Sequence, residues 1–266
     1  MRRVQLQESW PALWRDCHFY DLAEVYGQPD NLGYAYAYAA RRERALRLVD
    51  SFLQPGARIL DVAAAQGNFT LALAEKGYRV TWNDLRGELA GYVQLKHEHG
   101  DVAYAPGNVL ELSFPDLFDA VLLTEVIEHV AHPDVLLRKV SQLVRPGGYI
   151  IMTTPNGAYF KNRLPKFSDC ADPSVFEAAQ FQPNADGHIF LLHPEEIAEL
   201  AAKAGLEVAE QVLFTNPLTT GHLGSERLLR VLPRLVVQAL EMLTQHLPHI
   251  LRRKLLVQTA VLLRVH

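Results

Sequence analysis

The chain has 266 residues, 49% hydrophobic and 21% charged, with a formal net charge of −4. That length buries a sizeable core without covalent staples, and the composition is that of an ordinary globular protein of one or two domains. The net charge argues against a general polyanion binder, although charge can still be patchy, and no stretch of roughly 18 uncharged apolar residues is present to span a membrane.

The first eight residues carry Arg2 and Arg3 with no apolar run behind them, so they lack the pattern of a signal peptide. Residues 1–55 read as a helical cap with tyrosines at 20, 26, 34, 36 and 38. Cys17 lies in this cap and Cys170 far downstream, in neither metal nor redox spacing; a reducing cytoplasm is the expected compartment. From residue 56 onward, short apolar runs at 58–63, 78–83, 102–105, 118–124, 148–154 and 206–214 alternate with helical patterns at 69–76, 86–97, 133–144 and 194–204. This alternation predicts βαβ units and a mostly parallel sheet. One more strand is expected at 255–265, after an insertion at about 216–253 that is too long to be a bare loop. Within it, residues 225–253 have a helical pattern interrupted by Pro233 and Pro248, with Arg227, Arg230, Arg234, Arg252 and Arg253 among leucines and valines. Core packing, a dimer contact, a lid over the acceptor and a peripheral membrane contact all suit that composition.

The first predicted strand ends in Asp61-Val62-Ala63-Ala64-Ala65-Gln66-Gly67, and a helix follows. A strand, a turn of small residues and a helix N-terminus let backbone approach a ligand closely. Asp84 closes the second strand, where a carboxylate can accept hydrogen bonds from both hydroxyls of a ribose. Gly107-Asn108-Val109 follows the third strand, placed to meet an adenine edge.

This order resembles the class I S-adenosylmethionine-dependent methyltransferases, whose loop is usually Asp-x-Gly-x-Gly-x-Gly. The resemblance covers residues 57–214 and implies a Rossmann-like, doubly wound, seven-stranded α/β domain over 56–266. It implies a cofactor site of Asp61, Ala63, Ala65, Gly67, Asp84, Leu85, Asn108, Val109, Thr124 and Glu125. Tyr38 and Arg42 of the N-terminal helix are candidates to join it, an arginine there being suited to the cofactor's carboxylate. Asp61 and Gly67 match the motif, whereas Ala63 and Ala65 replace its first two glycines. Alanine enters positive φ at a cost, so the loop is expected to avoid that region at both positions.

The fourth strand opens into Glu125-Val126-Ile127-Glu128-His129, and Arg145-Pro146-Gly147-Gly148 is expected to turn the chain into the fifth. Here the sequence is similar to the ubiquinone-biosynthesis O-methyltransferases. The Glu-x-x-Glu-His pattern also occurs in small-RNA 3′-terminal 2′-O-methyltransferases, where a later histidine completes a divalent-metal site. By that resemblance Glu125, Glu128, His129 and His188 are candidate ligands for a cation such as Mg²⁺, which would acidify an acceptor hydroxyl. Two other readings stay open. His129 or His188 can act without metal as a base, or the cluster can be structural.

The stretch between the fifth strand and Gly187 holds Tyr159, Phe160, Lys161, Asn162, Arg163, Phe167, Phe176 and Phe181, an expected wall for an acceptor. Together these features predict O-methylation of a small hydroxylated metabolite, with a saccharide or glycan intermediate first and a quinone-like or polyketide ring second. A non-enzymatic binding protein and an RNA methyltransferase are the competing classes; the absence of a basic-aromatic module counts against nucleic acid.

Overall fold

The computed structural model describes residues 1–180 and 187–266. Two helices come first, α1 (Ala12–Glu24) and α2 (Leu32–Phe52). Seven strands follow: β1 (Arg58–Val62), β2 (Arg79–Trp82), β3 (Asp101–Tyr104), β4 (Phe118–Thr124), β5 (Val144–Pro155), β6 (Leu206–Phe214) and β7 (Gln258–Val265). Between them lie α3 (Asn68–Glu75), α4 (Leu89–Lys96), α5 (Pro133–Ser141) and α6 (Pro194–Lys203), with α7 (Glu226–Leu229), α8 (Arg234–Gln245) and α9 (His249–Leu255) between β6 and β7. The strand order is β3-β2-β1-β4-β5-β7-β6, with β7 antiparallel to both neighbours and the other pairings parallel. This is the Rossmann-like sheet that the alternating pattern predicts.

Helix starts follow local chemistry. Asn31 caps α2 by accepting from Tyr34 N at 2.9 Å. Pro133 and Pro194 occupy first-turn positions of α5 and α6, where a missing N–H costs nothing. Pro233 and Pro248 stand as the caps of α8 and α9, which makes the insertion three short helices rather than one long one. No helix among the described residues is long and apolar enough to cross a membrane.

Both faces of the sheet are covered, so β1 and β4 read as continuous apolar runs. Ile59, Ala120 and Leu122 enter one core with Val49 and Leu73, while Leu60, Val121 and Leu123 enter the other with Leu137 and Ile197. That alternation carries the polar ends of β1, β2 and β4 to one carboxyl edge.

Three boundaries depart from expectation. The Arg145–Gly148 segment lies within β5, against a register shift between Phe118 and Ala120, instead of forming a turn before it. Gly148 is needed there, because a Cβ would lie 2.6 Å from the Asp119 carbonyl oxygen. Helix α4 starts at Leu89 rather than near residue 86, since Arg86 folds back onto Asp84. Strand β7 starts at Gln258 because Leu255 completes α9.

A buried polar network fixes the cap to the sheet domain. Asp21 on α1 accepts from Lys96 Nζ at 2.7 Å, Tyr92 Oη at 2.7 Å and Asn68 Nδ2 at 2.8 Å. Lys96 also donates to Asn68 Oδ1 at 2.6 Å. Glu24, one turn on, accepts from Asn68, from Gln66 of the β1–α3 loop and from Tyr34 of α2.

Candidate functional site

The β1–α3 loop takes left-handed backbone at both positions where alanine replaces glycine, and keeps Gly67. Ala63 and Ala65 have φ of 53° and 46°, contrary to the expectation that the loop avoids that region. Its surroundings over-determine it: Ala64 N donates to Asn83 O at 2.8 Å, Ala65 N to Asp84 Oδ2 at 2.9 Å, and Trp82 Nε1 to Ala65 O at 3.0 Å. Gly67, at φ 72°, cannot be replaced in the same way, because a Cβ there would meet Val93 Cγ1 at 2.7 Å. Left-handed alanine costs about 1 kcal/mol per residue. Ala63→Gly and Ala65→Gly are therefore each expected to raise the melting temperature by about 2–4 °C, read by calorimetry. A fall in both variants would mean that the alanine methyls contribute packing worth more than the strain.

Asp61 is buried beneath this loop. Its Oδ2 accepts from Thr70 Oγ1 at 2.6 Å, while Oδ1 has no partner in the described structure. Burial pushes its carboxyl up to about 7. Asp84, the candidate ribose acceptor, is already saturated. Its Oδ1 accepts from Arg86 N and Nε, both at 2.9 Å, and its Oδ2 from Arg86 Nη2 at 3.1 Å and from Ala65 N. The two free acceptor sites expected from sequence are thus taken by the half-exposed Arg86 side chain two residues away.

Asn108 also differs from expectation. Its Oδ1 accepts from Leu110 N at 3.1 Å and its amide donates to Glu111 at 3.0 Å, a local turn rather than a group aimed at an adenine. Val109 packs into the core, and exposed Leu85 leaves an apolar surface beside Asp84.

Thr124 ends β4, and Glu125 follows at φ 52°. The Glu125 carboxylate accepts from Thr153 Oγ1 at 3.0 Å and pairs with Arg41 Nη1 at 2.9 Å. Tyr34, Tyr38 and Arg41 share one face of α2 at helical spacing and line a cavity of about 430 Å³ with Glu125, Asn156, Tyr159, His188, His222 and Gln258. Arg41, not Arg42, is the arginine of this cavity. The spacing from Tyr34 through Tyr38 was the signal for it. Thr220 and His222 join from the β6–β7 segment, which sequence order alone did not connect to the site. Of the aromatic wall expected after β5, Tyr159 lines the cavity, whereas Phe167 and Phe176 pack on Phe190 at 5.3 and 5.2 Å. Phe181 lies outside the described residues.

The Glu-x-x-Glu-His segment forms a short 3₁₀ turn after Glu125. This turn separates the two carboxylates. Glu128, His129 and His188 offer ligand atoms within 4.8 Å of one another, and the two imidazole rings stand 4.9 Å apart. Glu125, drawn toward Arg41 and Gln258, is not in that group. Glu128 is fully buried; Oε2 accepts from Thr154 Oγ1 at 3.0 Å and Oε1 has no partner in the described structure. Burial, reinforced by the Glu125 charge, pushes its carboxyl well above the ordinary carboxylate range. The Ile189 N–H donates to the Glu128 carbonyl at 2.7 Å and holds the His188 segment against the turn.

Known proteins place this arrangement. A family model described as a methyltransferase domain matches residues 34–211. The chain is 32% identical over 188 residues to the ubiquinone biosynthesis O-methyltransferase of Dechloromonas aromatica, covering 68% of this chain and 78% of that one. It is 32% identical over 171 residues to the corresponding enzyme of Xanthomonas axonopodis pv. citri, covering 62% and 69%. Among solved structures it is similar to the N-methyltransferase NodS of Bradyrhizobium japonicum in complex with S-adenosyl-L-homocysteine, with a TM-score of 0.55, 16% identity and coverage of 96% and 99%. A putative sarcosine dimethylglycine methyltransferase from Galdieria sulphuraria gives a TM-score of 0.57 at 16% identity, covering 96% and 98%. The chain belongs to the S-adenosylmethionine-dependent methyltransferases and is an enzyme of that class.

Proposed function

We propose that this enzyme transfers the methyl group of S-adenosylmethionine to a hydroxyl of a small ring-bearing acceptor bound in the 430 Å³ cavity. The observation that carries this reading is the placement of His188, which lines the cavity and stands against His129 and Glu128. In the proposed complex the β1–α3 loop and Asp84, released by Arg86, hold the cofactor, and Arg41 reaches its carboxylate. Buried Asp61, with an unpartnered oxygen under that loop, suits a group needing one more acceptor. The acceptor oxygen attacks the methyl carbon in line, the carbon–sulfur bond breaks, and the hydroxyl proton leaves to an imidazole.

The tyrosine-lined wall and the names of the relatives support a hydroxylated ring over the saccharide favoured by sequence. A cation fits as a further component: the unpartnered Glu128 oxygen beside two imidazoles makes a mixed nitrogen–oxygen donor set. Those three residues would hold it, and it would supply Lewis-acid stabilisation of the acceptor oxygen. Purified enzyme with labelled cofactor, offered catechols and saccharides with and without chelator, tests both points. Transfer to catechol that chelator abolishes and a divalent ion compatible with imidazole, Mn²⁺ or Zn²⁺, restores is expected. Transfer unaffected by chelator removes the cation, and transfer only to saccharides overturns the ring acceptor.

A further inference from the structure

The segment joining β6 to β7 contributes Thr220 and His222 to the cavity, yet most of it has no role in the site described above. Its composition is distinctive. Residues 225–255 contain six arginines and lysines against two glutamates, in a chain whose net charge is −4. Both glutamates are turned inward to structural tasks. Glu226 accepts from Leu32 N at 2.8 Å and Gly33 N at 3.1 Å at the start of α2, and Glu241 accepts from Asn216 and Thr219. The acidic groups are therefore taken up by the fold; of the six cations, Arg253 pairs with Glu195 and Arg230 lies 4.0 Å from Glu226. Arg227, Arg234 and Lys254 are exposed, and their side chains make no hydrogen bond or ion pair among the described residues.

The same outer surface is aliphatic. Helix α8 packs against β6 with Val237 buried, but Leu235, Met242 and Leu243 project from the outward side at helical spacing. Leu235, Ile250 and Val231 are 78%, 77% and 76% exposed. Leu228, Val236 and Leu251 are exposed as well, so three consecutive helices carry more exposed aliphatic side chains than scattered surface hydrophobics explain. The end of α9 adjoins the cavity wall. Phe160 N donates to Lys254 O at 2.9 Å, and the exposed Phe160 ring packs on Tyr159 of the cavity at 4.9 Å.

We propose that the outer face of α7, α8 and α9 docks on an anionic membrane surface, with the aliphatic side chains in the interfacial layer and the arginines and lysine against lipid phosphates. Charge decides among the occupants. A second copy of this chain meeting the same face about a two-fold axis would set like charges against one another. A nucleic acid would gain phosphate contacts but no large stacking platform, since residues 225–255 include no Phe, Tyr or Trp. An anionic bilayer offers partners to both halves of the surface at once. The 12 residues of α8 would lie flat along it. Docking there would bring the cavity wall at Tyr159 and Phe160 close to the lipid phase. This does not depend on which acceptor the site takes.

Vesicle flotation tests it with the full chain, using phosphatidylcholine alone and phosphatidylcholine mixed with phosphatidylglycerol. Binding to the mixed vesicles at low salt, its loss at high salt and its absence on phosphatidylcholine alone are the expected results. Arg227→Ala with Arg234→Ala should lower partitioning roughly thirtyfold. Leu235→Glu with Ile250→Glu, at positions too exposed to carry the fold, should abolish it. S-adenosylhomocysteine binding by each variant reports folding separately, so failure to float is distinguishable from failure of the methyltransfer reading. No flotation of the native chain on mixed vesicles overturns the proposal. So does equal flotation on both vesicle types, or self-association that Leu235→Glu removes without any vesicle binding.

Discussion

His188→Ala is expected to lower kcat by about 10²–10⁴-fold while leaving cofactor affinity within about threefold, because positioned proton transfer contributes on that scale. His188 meets the cavity from one side and the His129 ring, 4.9 Å away, from the other. Removing it takes away the proposed base or a proposed cation ligand while leaving the β1–α3 loop untouched. A chelator distinguishes the two. If His188→Ala and chelation lower the rate by the same factor and do not compound, the histidine acts as a ligand. If the native enzyme ignores chelator but the variant is still slow, it acts as a base. Near-native rates in both cases would remove His188 from the reaction. Because His188 is exposed, Ile189 and Phe190 behind it keep the local packing, and melting temperature should change little.

Lys96→Met is expected to be the most destabilising single change. Lys96 and Asp21 are both fully buried, and their ion pair is the centre of a network reaching Asn68, Tyr92 and Glu24. Methionine preserves most of the volume but leaves Asp21 buried without its cation, a loss of about 3–5 kcal/mol. For a chain of this size that corresponds to a melting temperature lower by about 10 °C or more. The double variant Lys96→Met, Asp21→Asn removes the stranded charge and should recover a large part of the loss, a coupling that a double-mutant cycle reads directly. Equal melting temperatures for the single and double variants would mean that the charge of Asp21 is tolerated without Lys96. The network also ties α1 to Asn68 and Gln66 beside the β1–α3 loop, so weaker cofactor binding should accompany the lower stability.

The sheet was legible in the sequence because its inner strands β1, β4, β5 and β7 are largely buried on both faces and stand out as apolar runs. The β1–α3 loop was legible as a motif and misread in conformation. The substitution of Ala63 and Ala65 suggested that positive φ would be avoided, but the bonds from Asn83, Asp84 and Trp82 hold it in place regardless. The resemblance pointed to Glu128, His129 and His188, which the fold brings together, and also to Glu125, which it does not. Its left-handed backbone and its pairing with Arg41, 84 positions earlier in the chain, turn it away. Arg41 itself was one position from Arg42, a difference that only the helix face resolves. The Asp21–Lys96 network and the His222 wall could not be read at all, because each joins segments with no periodic relation between them.

Calorimetric titration of the purified chain with S-adenosylhomocysteine tests the central claim most directly, namely that an alanine-substituted loop still serves a methyltransferase. One-to-one binding by the native protein is predicted, weakened at least about tenfold in Asp84→Ala by loss of the ribose hydrogen bonds. No heat with either S-adenosylmethionine or S-adenosylhomocysteine, or binding indifferent to Asp84→Ala, would contradict the account.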